Sequence, residues 1–158
     1  MAYFEDFSEY TYSGRYWRPN TYNVGWLDHA HQFDTEKPSD EVVSRLWSLC
    51  GWSVAQTRGF HTCNLSQCSG QIFSGGVTPA RRGNLTLKLG SAEIRLFGVD
   101  GKVFAAPNLI YHYVTIHCYR MPEEFVQALY TCDLDSSYFE RLTQLGLNWG
   151  KTLECNRK

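Results

Sequence analysis

The chain has 158 residues, 43% of them hydrophobic and 20% charged, with 15 lysines and arginines against 16 aspartates and glutamates and a formal net charge of -1. Such values fit one compact domain, residues 1–158, with its own core, and they supply no overall field that would draw the chain to nucleic acid or an anionic membrane. The start, Met1-Ala2-Tyr3-Phe4-Glu5-Asp6, is acidic and without the basic and apolar stretches of a secretory signal, and no apolar run reaches membrane-spanning length, so a soluble, cytoplasmic protein is expected.

Residues 1–35 are rich in Tyr, Trp, Asn and Gly and lack helical periodicity, which predicts loops and short strands packing their aromatics over the core. Pro38-Ser39 opens a helix: Asp40 and Glu41 favour the dipole in its first turn, Val42, Val43, Leu46, Trp47 and Cys50 form one apolar face, and Gly51 stops it. From Ser66 to Gly83 the chain holds Gly70, Gly75, Gly76 and Pro79 and reads as a mobile loop. Alternation at Leu85, Leu87 and Leu89, then at Ile94 and Leu96, followed by an Asp100-Gly101 turn into Lys102–Ala105, predicts an antiparallel meander with one buried face. Pro107 opens a helix carrying Leu109, Ile110, Tyr113, Val114 and Ile116; Pro122-Glu123-Glu124 opens another; Ser137 and Glu140, at capping-box spacing, open a last one. The fold class expected is α+β, an antiparallel β-meander packed with about four helices.

Cysteines stand at 50, 63, 68, 118, 132 and 155. Without an export signal they are expected as free thiols or metal ligands. Cys63 and Cys68 have C-x4-C spacing and His112 and His117 have H-x4-H spacing, each within the range of half a structural zinc site. On an ideal helix the two histidines flank the inward stripe roughly 140° apart, so the last turn is expected to distort or unwind near His117. Order and spacing describe an enlarged Cys2His2 knuckle, with His61 and Cys118 as possible substitutes for one ligand. Four protein ligands fill a tetrahedral Zn2+, which predicts a structural metal. Asp28, His29 and His31 form a second metal-like cluster, but histidines two apart need not converge.

Several stretches, Tyr22–Asp28, Arg58–Cys63, Leu89–Arg95 and Ala105–Val114 with Pro122–Phe125, resemble an uncharacterised family of bacterial proteins known as a domain of unknown function; the resemblance covers most of residues 3–130. It implies a stand-alone bacterial domain and no particular activity. Small proteins of this kind often accompany toxins as immunity proteins, an analogy of context.

Three functions are weighed. The first is protein–protein binding, as an immunity protein neutralising a toxin, through the aromatic N-terminal region and a face around Glu93 and Arg95; against it stands the plainer reading that Glu93 simply pairs with Arg95 or Lys102. The second is a metal-dependent hydrolase with an incomplete metal shell near His61, His31 or Glu93; no nucleophile elbow, phosphate loop or metalloprotease helix accompanies it. The third is a nucleic-acid-binding finger, prompted by Arg81, Arg82 and Lys88; Tyr111, Tyr113 and Thr115 stand where a groove-reading helix needs basic or amide side chains. Binding ranks first, and catalysis is disfavoured without being excluded.

Overall fold

The computed structural model describes residues 2–66, 68 and 78–155. Among the described residues eight strands and four α-helices give an α+β fold built on two sheets. In chain order they are β1 (Thr21–Asn23), α1 (Asp40–Cys50), β2 (Trp52–Val54), β3 (Thr78–Arg82), β4 (Leu85–Leu89), β5 (Glu93–Phe97), β6 (Val103–Pro107), α2 (Ile110–His117), α3 (Glu123–Thr131), α4 (Ser136–Gln144), β7 (Trp149–Lys151) and β8 (Leu153–Cys155). The larger sheet runs β1-β6-β5-β2-β7, parallel between β1 and β6 and antiparallel elsewhere; the smaller runs β3-β4-β8.

Helix α1 follows its sequence signals closely. Ser39 caps it by accepting from the Val42 N–H, and Val42, Leu46, Trp47, Leu49 and Cys50 are buried. At α4 the cap is Asp135, whose carboxylate accepts from Ser137 and Tyr138 N–H, and not Ser137. A carboxylate two residues upstream out-competes the Ser137 hydroxyl, which itself donates to Asp135. Pro107 ends β6 and does not start α2: its backbone stays in the ladder opposite Glu93, and the chain turns through Asn108 and Leu109 first.

All three expected strands form, with β5 and β6 as a hairpin in the larger sheet and β4 in the smaller one. The hairpin turn places Asp100 at φ 56° and Gly101 at φ 72°, the twist-matching conformation of tight hairpins. The expected loop is only partly tested: residues 67 and 69–77 lie outside the described residues, while Thr78–Arg82 is a strand. Pro79 is tolerated because, among the described residues, β3 is an edge strand with no second neighbour to receive its missing N–H.

The larger sheet is covered on both sides. Ile94, Leu96, Phe104 and Ala106 face the main core with residues of α1, α2 and α3, including Leu46, Val114 and Phe125. On the other side Tyr10, Trp26 and Ala105 form a small second core, closed by Phe4 and Tyr16. Strand β5 is therefore buried on both faces, and Glu93 and Arg95 are only 4% and 1% exposed. They pair with each other at 2.6 Å, beneath Tyr10, whose hydroxyl donates to the Glu93 carboxylate. Lys102 pairs with Glu124 instead. A docking face around Glu93 and Arg95 is thereby excluded.

Candidate metal centre

Cys63 and Cys68 lie on the segment that leaves β2. Two backbone hydrogen bonds hang that segment on the β4–β5 connection: Thr57 N–H donates to Ser91 O at 2.7 Å and His61 N–H to Gly90 O at 2.8 Å. The Cys68 N–H then donates to Leu65 O at 2.8 Å, curling the knuckle so that both sulfurs point inward. Gly90 also holds the start of α2, because its own N–H donates to Asn108 Oδ1 at 2.8 Å. One residue thus joins the thiol segment to the histidine helix.

That joint requires glycine. Gly90 sits at φ +107°, and a Cβ there would overlap the His61 carbonyl oxygen. Gly90→Ala is expected to destabilise by on the order of 2–4 kcal/mol, since strain and backbone overlap coincide; chemical denaturation of the variant checks it, and a loss below about 1 kcal/mol contradicts it.

Helix α2 stays regular through His117, contrary to the expected unwinding, and ends at once. Cys118 adopts the left-handed conformation at φ 53°, and the N–H groups of both Cys118 and Tyr119 donate to Tyr113 O. The wide angular separation of the histidines is bridged by side-chain reach: the imidazoles lie 5.1 Å apart between ring centroids and approach the sulfurs through Nε2, the nitrogen farther from the backbone.

The four side chains converge. Cys63 Sγ lies 3.3 Å from His117 Nε2, Cys68 Sγ lies 3.3 Å from His112 Nε2 and 3.1 Å from His117 Nε2, and all four donor atoms are within 4.8 Å of one another. Zn–S bonds near 2.3 Å and Zn–N bonds near 2.0–2.1 Å place S and N ligands of one tetrahedron roughly 3.5 Å apart. The observed separations approach that value. Hydrogen bonding alone accounts poorly for them, because a single His117 nitrogen faces two sulfurs and can accept from only one well.

All four residues are buried, between 3% and 8% exposed. Burial pushes the Cys63 thiol pKa up, holds His117 below the ordinary imidazole value, and with the neighbouring His117 brings His112 down to about 4. The imidazoles are therefore neutral, the form that ligates metal. The sulfurs have the opposite need, since a coordinating thiol must be deprotonated, and a divalent cation supplies the compensation: two thiolates, two neutral imidazoles and one dication sum to zero charge. The donor set, its spacing and its charge balance all fit Zn2+.

Among the described residues this is the one such group, and it contains neither His61 nor Cys118. The second sequence cluster does not converge. His31 Nδ1 lies 2.7 Å from Asp28 Oδ1, Asp28 caps the Ala30 and His31 amides, and Tyr3 stacks on the His31 ring at 3.6 Å, so these groups stiffen a loop. Asn108 and Gly90 were not singled out from sequence as site residues. The available signal was an isolated glycine between two strand patterns, which marks a special φ or a close backbone approach.

Comparison with curated proteins and with solved structures returns no match. A family profile does match residues 2–130, a span that contains all four converging side chains and stops at the end of α3. The chain belongs to that family, described as a domain of unknown function, DUF7919.

Proposed function

We propose that Cys63, Cys68, His112 and His117 hold one Zn2+ as a structural staple, and that the stapled domain works in the bacterial cytoplasm by binding another protein, as an immunity protein that neutralises a toxin. The observation that carries the staple is the convergence of four buried donors on one point. Four protein ligands leave no coordination position for water or substrate, which supports a structural ion over a hydrolytic one. Free cysteines suit a reducing compartment, and among the described residues no helix is long and apolar enough to cross a membrane.

Burial of the helix supports a staple over a nucleic-acid-reading finger. Ile110 to Val114 and His117 are buried, and the part of α2 left open is the half-buried Thr115 and the exposed, apolar Ile116, neither of them a basic or amide side chain. Two of the three basic residues that prompted the finger reading are also engaged: Arg82 lies over the Trp47 ring and Lys88 pairs with Glu154.

X-ray absorption at the zinc edge tests the site. A shell of two sulfurs and two nitrogens is the expected result, while a light-atom ligand from water would return catalysis to consideration and absence of stoichiometric metal would remove the proposal. Binding is tested by affinity capture from the native host, where no stoichiometric partner would count against it.

A further inference from the structure

The N-terminal segment and the stretch after α2 enclose a groove of about 340 Å3, within the roughly 300–1,000 Å3 of pockets that take small ligands or side chains. Its walls are fixed by backbone pairing. Phe4 bridges Trp26 on one side, and Thr35 bridges Tyr119 on the other, with Arg120 N–H donating to Asp34 O and Glu36 N–H to Cys118 O. Asp6 ties the walls together: its carboxylate accepts from Gly25 N–H at 2.9 Å and from the Tyr119 hydroxyl at 2.6 Å. The groove is therefore built before any occupant arrives, which reduces the ordering cost of binding.

Its lining combines rings and negative charge. Tyr3 and Phe33 contribute half-buried aromatic surface above the buried Tyr119, and Glu5, Asp6 and Asp34 contribute carboxylates. Among the described residues none of these three carboxylates has an ion-pair partner; Arg120, the cation on the rim, faces Glu36 at 3.6 Å. Asp6 is the telling member, because burial raises its carboxyl pKa despite its two hydrogen bonds. A partly buried carboxylate without a cation pays a desolvation cost that a docked cation would offset.

We propose that this groove is the docking site for an arginine side chain presented by a partner protein. Charge complementarity requires a cation, and the aromatic walls favour the planar guanidinium, which stacks on ring faces and forks onto carboxylates in ways an ammonium does not. The proposal rests on the binding-protein reading above and deepens it: Tyr119 and Arg120 follow His117 after the single cap residue Cys118, so the staple on α2 would also set the position of one groove wall.

The test titrates zinc-loaded full-length protein with an acetyl-Gly-Arg-Gly-amide peptide and with the same peptide carrying neutral citrulline, followed by NMR and calorimetry. Expected are shifts of the Gly25, Asp34 and Arg120 amides with arginine and none with citrulline. A Glu5→Gln/Asp34→Asn variant, altered only at exposed carboxylates, is expected to bind about five- to tenfold more weakly at unchanged melting temperature. No response up to ~10 mM, far above the concentration at which even a millimolar site fills, equal binding of citrulline, or undiminished binding by the variant overturns the groove. Zinc content is measured on the same sample, so a failed groove with intact metal leaves the staple standing, whereas missing metal removes the staple whatever the peptide does.

Discussion

Exhaustive chelation of the purified protein, or Cys63→Ser, is expected to lower the melting temperature by roughly 10–20 °C. The figure follows from a loss of about 5 kcal/mol in a domain of this size, where each kcal/mol moves the midpoint by roughly 2–4 °C. Zinc-finger peptides owe essentially their whole folding free energy, some 10–16 kcal/mol in apparent terms, to the ion. A smaller share is expected here because Gly90 and Ser91 also hold the knuckle through backbone hydrogen bonds and the larger core folds around other contacts. What the proposed ion would add is closure: Cys68 and His112 are 44 residues apart, a loop whose ends cost entropy to bring together. Its removal would leave four buried polar groups competing for poor sulfur–nitrogen hydrogen bonds. Cys155→Ser provides the control, since Cys155 is exposed and outside the group, and a shift within about 1 kcal/mol is expected. Differential scanning calorimetry with elemental analysis decides it: a metal-free sample with an unchanged midpoint contradicts the staple.

The metal constellation was legible because both halves are local. C-x4-C and H-x4-H are spacings within one knuckle and one helix, and two thiols with two imidazoles are a donor set whose meeting is chemically plausible without knowledge of the fold. The distance between the halves was not legible, because it depends on Gly90 and Asn108, which carry no metal chemistry and act through backbone geometry. Helices α1 and α3 could be read from caps and periodicity. Three-residue strands such as β1, β2 and β7 could not, since they are too short to show alternation and exist through partners far along the chain. The assignment of β4 to a second sheet has the same cause: its partner β8 lies near the other end of the described chain. Likewise Glu93 and Arg95 look like solvent-facing positions of a half-buried strand, and only the tertiary covering by Tyr10 and Trp26 puts them inside.

That covering makes Glu93 and Arg95 the place where single substitutions should act most asymmetrically. Arg95 is 1% exposed; apart from Glu93 it has the Ile94 carbonyl at 3.2 Å and the Tyr10 ring 4.9 Å away, and its Nη2 has no partner among the described residues. Glu93→Leu would leave a guanidinium that cannot shed its proton in that setting, at an expected cost of about 3–5 kcal/mol. Arg95→Leu should cost less, because the Tyr10 hydroxyl still donates to the remaining carboxylate and a carboxyl, unlike a guanidinium, can neutralise itself by taking up a proton. The double substitution Glu93→Leu/Arg95→Leu should recover most of the loss, since leucines replace a desolvated pair with apolar contacts beside Ala105 and Trp26. A double-mutant cycle from denaturant midpoints then yields a coupling of at least about 2 kcal/mol. If Glu93→Leu costs under about 1 kcal/mol, or the double variant is no more stable than the worse single one, the pair is wetter and looser than its burial indicates, and the aromatic N-terminal cover does not seal the sheet.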